Sequence, residues 1–166
     1  MTTWVADAGP LIFLAKLDRL NLLQSAAEAI YIPTVVLSEI QTKADEATRK
    51  IEATAKHWLL TRSVAGVDAV ELLQADLGRG EAEVITLARE IQADRVLLDD
   101  LDARRFARRV GLVPIGTLGL LLSARLKGEP IILQAEIERL QTHGFWVSER
   151  LAAEILKAAG ENVTTE

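Results

Sequence analysis

The chain has 166 residues, 49% hydrophobic and 26% charged, which is enough to bury a core and excludes a disordered chain, a collagen or a coiled-coil rod. It has no cysteine, which excludes disulfides, thiolate zinc sites, iron–sulfur clusters and thiol catalysis and suits a reducing compartment. Its 19 Lys and Arg against 24 Asp and Glu leave a net charge of −5, so any contact with nucleic acid has to come from local basic clusters.

Short apolar runs alternate with helical patterns along the chain. Trp4–Ala6 reads as a first strand, closed by Asp7. Leu11, Leu14 and Leu17 then lead into Leu20 and Leu23 at helical spacing. Ala29–Ile32 is a second strand, and Pro33 stands at the first turn of the helix that follows, where proline is well placed. Val35, Val36 and Ile40 form its apolar arc, and its far half, Lys43–Lys56, is polar and charged. Trp58–Leu60 is a third strand. Val67, Val70, Leu73 and Leu77 resume a helical period, and Gly78-Arg79-Gly80 makes a flexible loop before a helix carrying Ala82, Ile85 and Ala88. Arg95–Leu98 is a fourth strand closed by Asp99 and Asp100, and Leu112–Ile115 is a fifth. Two late apolar helices, Leu118–Leu126 and Leu151–Leu156, suit either core or a dimer surface. Gly128, Gly144 and Gly160 sit where helix C-terminal caps are expected, and Ser148 where an N-cap is. Trp4 and Trp58 are expected in the core, Trp146 in the core or at an oligomer contact, and His57 and His143 on the surface. The start of the chain has no signal-peptide pattern, and Leu118–Leu122 is too short to span a bilayer, so a cytoplasmic protein with no membrane partner is expected.

Strands that alternate with helices predict an α/β fold with a parallel sheet covered on both faces, whose ligands bind beyond the carboxyl ends of the strands. Asp7, Asp99 and Asp100 fall at such ends. Glu39 lies one to two turns into the helix after the second strand, beside the apolar arc, where a carboxylate needs a partner. Glu81 lies in the first turn of the helix after the glycine loop, and Glu83 is expected to be solvated. Converging carboxylates repel one another at neutral pH, and a divalent cation removes that cost. An all-oxygen donor set without His or Cys suits Mg²⁺ or Mn²⁺ rather than zinc, and such sites commonly act on phosphate esters. Arg104, Arg105, Arg108 and Arg109 recur on one broad helix face, Arg79 lies in the glycine loop, and Arg125 and Lys127 add charge near a later helix end. Of these, Arg79, Arg104, Arg105 and Arg108 are the candidate phosphate contacts.

Four segments, in order, resemble the acidic motifs of PIN domains. These are Val5-Ala6-Asp7-Ala8-Gly9-Pro10-Leu11-Ile12, Ile32-Pro33-Thr34-Val35-Val36-Leu37-Ser38-Glu39, Gly80 to Ala88, and Leu97-Leu98-Asp99-Asp100-Leu101-Asp102-Ala103-Arg104. Ile115-Gly116-Thr117-Leu118-Gly119 and the tail Phe145–Gly160 are similar to the later part of a VapC-like branch. The resemblance implies a PIN-like three-layer α/β/α sandwich with a central parallel sheet of about five strands. It spans 1–166 as a single domain with a C-terminal helical extension at about 129–160. It also implies a metal-dependent endoribonuclease that uses Mg²⁺ or Mn²⁺, the toxin of a type II toxin–antitoxin pair, dimeric and silenced by a small antitoxin protein. Carried over by motif, Asp7, Glu39, Glu81 and Asp100 are the catalytic and metal-binding quartet. Asp99 is an alternative ligand for the fourth place, and Asp102 a fifth acid farther out. Two positions depart from the common pattern: Gly9 stands where many members have Ser or Thr, and Glu81 where many have Asp. A catalytically weak PIN-fold binding module and a structure-specific DNA nuclease are the alternative readings.

Overall fold

Five short strands, all parallel, form one sheet in the order β3-β2-β1-β4-β5. They are β1 (Thr3–Ala6), β2 (Ala29–Pro33), β3 (Leu59–Arg62), β4 (Arg95–Leu97) and β5 (Pro114–Ile115). The computed structural model describes residues 1–161. Strand register is set by the apolar runs: Val5 sits beside Tyr31 on one side and Val96 on the other, and Ala6 beside Leu97. Val5, Ala6, Ile32, Val96 and Leu97 are fully buried, as expected for strands covered on both faces. The chain winds outward from β1 through β2 to β3, then crosses back past β1 to β4 and β5. The strand order therefore reverses at β1, and the carboxyl ends of β1 and β4 border the switch point where such sheets bind ligands.

Helices α1 (Ala8–Lys16), α2 (Asn21–Ala26), α3 (Thr34–Gln41), α4 (Glu46–Ala55), α5 (Val67–Leu73), α6 (Arg79–Glu90) and α7 (Leu101–Arg109) surround this sheet. The result is the expected α/β/α sandwich of a PIN-like fold. α6 contributes the largest buried helical face, from Ala82 through Val84, Ile85, Leu87 and Ala88. Residues Met1–Gly116 make one compact unit and the chain from Thr117 a second. The second holds α8 (Thr117–Leu126), α9 (Leu133–Thr142) and α10 (Glu149–Ala158). Within it, Leu133, Ile137, Leu140 and Leu156 are buried. Arg125 pairs with Glu161 at 3.6 Å, and the Ser148 hydroxyl caps α10 by accepting from the Leu151 amide at 3.1 Å. Gly128, Gly144 and Gly160 adopt positive φ after α8, α9 and α10, as their C-cap placement requires. No helix among the described residues is long and apolar enough to cross a membrane.

Several elements differ from the sequence expectation. The helix expected to run from Val35 to Lys56 is two helices, broken where Ala44 takes φ 47° and the Asp45 carboxylate caps α4 at the Thr48 amide, 2.9 Å away. Thr48 also donates its hydroxyl to the Ile40 carbonyl at 3.0 Å, which ties the start of α4 to the end of α3. The run from Leu11 to Leu23 is likewise divided, at Asp18 with φ 56°. Pro33 belongs to β2 and stands at the N-cap of α3 with an extended backbone, not in its first turn. Of the tryptophans, Trp4 is buried, Trp58 is only half-buried, and Trp146 is 82% exposed and outside any core. Leu126 and Leu151, expected in core or at a dimer surface, are exposed. His57 and His143 are exposed, as expected.

Candidate active site

The sheet delivers two groups of acids to its switch point. Asp7 follows β1 directly, and its amide still bonds to the Leu97 carbonyl of β4 at 3.0 Å. It occupies the N-cap place of α1, yet its side chain makes no capping bond to that helix. Asp99 and Asp100 follow β4. Asp100 caps α7, with Oδ1 accepting from the Ala103 amide at 2.8 Å, so its backbone and one oxygen are fixed and the other oxygen is not used by the cap. Glu39 comes from the exposed side of α3, and Glu81 from the first turn of α6.

Gly80 reveals how closely these groups approach. It is buried in the first turn of α6, and a Cβ there would lie 2.8 Å from Glu39 Oε2 and 3.3 Å from Asp7 Oδ1. Two carboxylates from β1 and α3 thus rest against bare backbone of α6, in space that any other residue would fill. Burial pushes the Asp7 carboxyl up to about 6, helped by the charges of Glu39, Asp99 and Asp100 and opposed by the Ala8 amide. Burial and the charges of Asp100, Asp7, Asp102 and Glu39 push Glu81 up to about 7. Asp7, Glu39, Glu81, Asp99, Asp100 and Asp102 therefore share one electrostatic neighbourhood.

Asp99 and Asp100 face different ways. A Cβ on Gly116 would lie 3.0 Å from Asp99 Oδ1 and 3.4 Å from Arg104 Nη1, which places Asp99 toward β5 and Arg104. Asp100 is the acid that acts most strongly on Glu81.

The donor set fits a hard divalent cation. Every candidate ligand is a carboxylate oxygen, with no imidazole or thiolate, which suits Mg²⁺ or Mn²⁺. The absence of a side chain at Gly80 lets the Asp7 and Glu39 carboxylates approach each other, and a cation there would offset the burial and repulsion that raise Asp7 and Glu81. Among the described residues no three such side chains already close on one point.

The arginines separate into distinct roles. Arg104 is half-buried rather than displayed. Burial and the neighbouring Arg108 push its pKa down while Asp99 opposes them, so the carboxylate group is not free of cations as expected from sequence. Its Nε is buried without a hydrogen-bond partner. Arg105 is exposed and pairs with Asp102 at 3.5 Å, a weak contact at that exposure. Arg108 and Arg109 are exposed on the same helix, and Arg79 is exposed at the start of α6. Glu83, expected in solvent, is instead half-buried between Arg79, which lowers its pKa, and burial and Glu39, which raise it. The importance of Gly80 was missed by sequence reasoning, which read the glycine loop as flexibility. The signal was there in a glycine one residue before a site acid.

Carboxylates at the switch point of a parallel sheet stand where such folds bind ligands and offer oxygen donors that a hard cation would accept. Residues 3–161 match the PIN-domain family, and the chain belongs to it. PIN domains are generally nucleases, so hydrolysis of a nucleic acid is the general activity of this fold. Among curated proteins none matches the chain.

Proposed function

We propose that this PIN domain is a metal-dependent endoribonuclease that acts as the toxin of a type II toxin–antitoxin pair. The observation that supports the nuclease reading is the approach of the Asp7 and Glu39 carboxylates to Gly80, with the charges of Asp7, Glu39, Asp100 and Asp102 acting together on Glu81. Asp7, Glu39, Glu81 and Asp100 would hold Mg²⁺ or Mn²⁺, with Asp99 turned toward Arg104 and Gly116 as a positioning group for that edge. Such an ion, when bound, supplies charge neutralisation at the phosphate and a more acidic water.

The chain's own residues do the rest. Asp100, held by its cap bond to Ala103, keeps a fixed carboxylate at the end of β4. Burial and the neighbouring acids raise Glu81 to about 7, so a cation held by these acids would favour its ionised form. Exposed Arg79, Arg105 and Arg108 offer phosphate contacts beside the acids, which the net charge of −5 otherwise discourages. Cleavage would leave a 5′-phosphate and a 3′-hydroxyl, as the family resemblance implies. The partners that go with this role are an RNA substrate, a small antitoxin protein and a second copy of the chain. Exposed Trp146 and Ile132 of the second unit supply apolar surface for protein contact.

The test is cleavage of a mixed pool of single-stranded RNAs by the purified chain with Mn²⁺, Mg²⁺ or chelator, beside Asp7→Asn and Asp100→Asn. Cutting should need the metal and fall by at least about a hundredfold in each variant. Cutting that survives chelator or both substitutions contradicts the reading, and cutting of branched DNA alone would replace RNA with a structured DNA substrate.

A further inference from the structure

We infer that the cavity walled by Thr34, Ser38, Ser63 and Arg79 is a subsite for one unstacked nucleotide of a single-stranded RNA, with its phosphate on Arg79 and its ribose on the three hydroxyls. The inference rests on the nuclease reading and adds to it a place where the strand is held beside the acids.

The cavity has a volume of about 400 Å³, within the range of about 300–1,000 Å³ in which small-molecule sites fall. Its walls come from the same sheet edge as the acids. Thr34 and Ser38 are one helical turn apart on α3 and so share a face. Ser63 directly follows the last residue of β3, and Arg79 opens α6. Two wall residues are chain neighbours of the acid cradle: Ser38 precedes Glu39, and Arg79 precedes Gly80.

The wall chemistry suits a ribonucleotide. Thr34 Oγ1 and Ser63 Oγ lie 2.9 Å apart, and Ser38 donates to the Thr34 carbonyl at 3.2 Å. A hydroxyl has one donor and two acceptor positions, so this small network keeps capacity for a ligand that both donates and accepts, as a 2′-hydroxyl does. Val35 and Val64 give the same cavity apolar wall for a base or sugar face. Arg79 is the basic side chain of the lining and matches one phosphate. A second cavity of about 270 Å³ shares Val64, Arg79 and Glu83 with the first. Arg79 therefore stands where two compartments meet, the place of the phosphate that links two nucleotides. Glu83 on that wall opposes a polyanion, and Arg79 partly offsets it.

The test measures RNA binding by fluorescence anisotropy, with the full chain carrying Asp7→Asn to remove cleavage, in Mg²⁺, and a labelled RNA of on the order of eight nucleotides. Arg79→Ala should weaken binding about tenfold and lower the slope of log affinity against log salt by about 0.7, the share of one single-strand phosphate contact. Arg79→Lys should keep the slope, and Arg49→Ala, on the exposed side of α4, should change neither quantity. The Ser38→Ala, Ser63→Ala double variant should bring RNA down to the affinity of the matching DNA strand, with its melting curve checked for an intact fold. Unchanged affinity in Arg79→Ala, or an unchanged RNA-over-DNA preference in the double variant, overturns the subsite. If the wild-type chain still cuts RNA with metal in that case, the nuclease reading stands without it. RNA that is neither bound nor cut removes both.

Discussion

Asp7 carries a cost that the fold accepts for the sake of its site. Its carboxyl is raised from 3.8 to about 6, and that of Glu81 from 4.5 to about 7. Both are acids raised in the folded state, so between about pH 4 and 7 the native chain binds more protons than the unfolded chain. Their contribution is favourable below the unfolded values and is lost as pH rises through the folded ones. The cation-free protein should therefore lose stability across that window. Asp7→Asn removes part of the loss, so at about pH 8 in chelator it should melt roughly 2–6 °C above the wild type, and at about pH 4 the difference should vanish. Added Mn²⁺ should close the gap by stabilising only the wild type. Thermal melts across pH check this, and a variant that melts below the wild type in chelator at about pH 8 would contradict it.

At the scale of elements, the approach of α6 to β1 and α3 makes the site. Gly80 permits that approach, and its substitution separates site from fold. In Gly80→Ala the new Cβ meets Glu39 Oε2 at 2.8 Å, but this is the end of a flexible side chain at an exposed position and can swing into solvent. Helix propensity favours alanine by about 0.8–1.0 kcal/mol, so the fold should hold. Mn²⁺ should then raise the melting temperature much less than in the wild type, matching a loss of about tenfold or more in affinity. Gly9→Ser is the contrast: no atom lies within 4 Å of its Cβ, so the serine or threonine common in the family fits and the Mn²⁺ response should persist. Equal Mn²⁺ responses in Gly80→Ala and the wild type would remove the cradle from the site. Strand ends and their acids were legible in sequence because a strand buried on both faces reads as an unbroken apolar run, and Asp7, Asp99 and Asp100 close two of those runs. Helix breaks were not. Ala44 is an alanine, the best helix former, and tertiary bonds from Asp45 and Thr48 turn the chain there.

For the whole molecule, the net charge of −5 and the proposed RNA substrate are compatible only if negative charge at the switch point is matched by a cation and positive charge is gathered nearby. The parallel sheet and the strand-end places of Asp7, Asp99 and Asp100 were legible in the sequence. It did not reveal that Arg104 is withdrawn toward Asp99 or that Ser63 and Thr34 meet across two elements, because those placements depend on strand order and not on spacing. In the proposed function Asp7, Glu39, Glu81 and Asp100 form one divalent-cation site. Calorimetric titration of Mn²⁺ into the wild type, Asp7→Asn and Glu81→Gln at about pH 8 tests it most directly. The account predicts saturable binding by the wild type, weakened about 10–100-fold in each variant. Absence of saturable binding, or affinity unchanged by both substitutions, would contradict it.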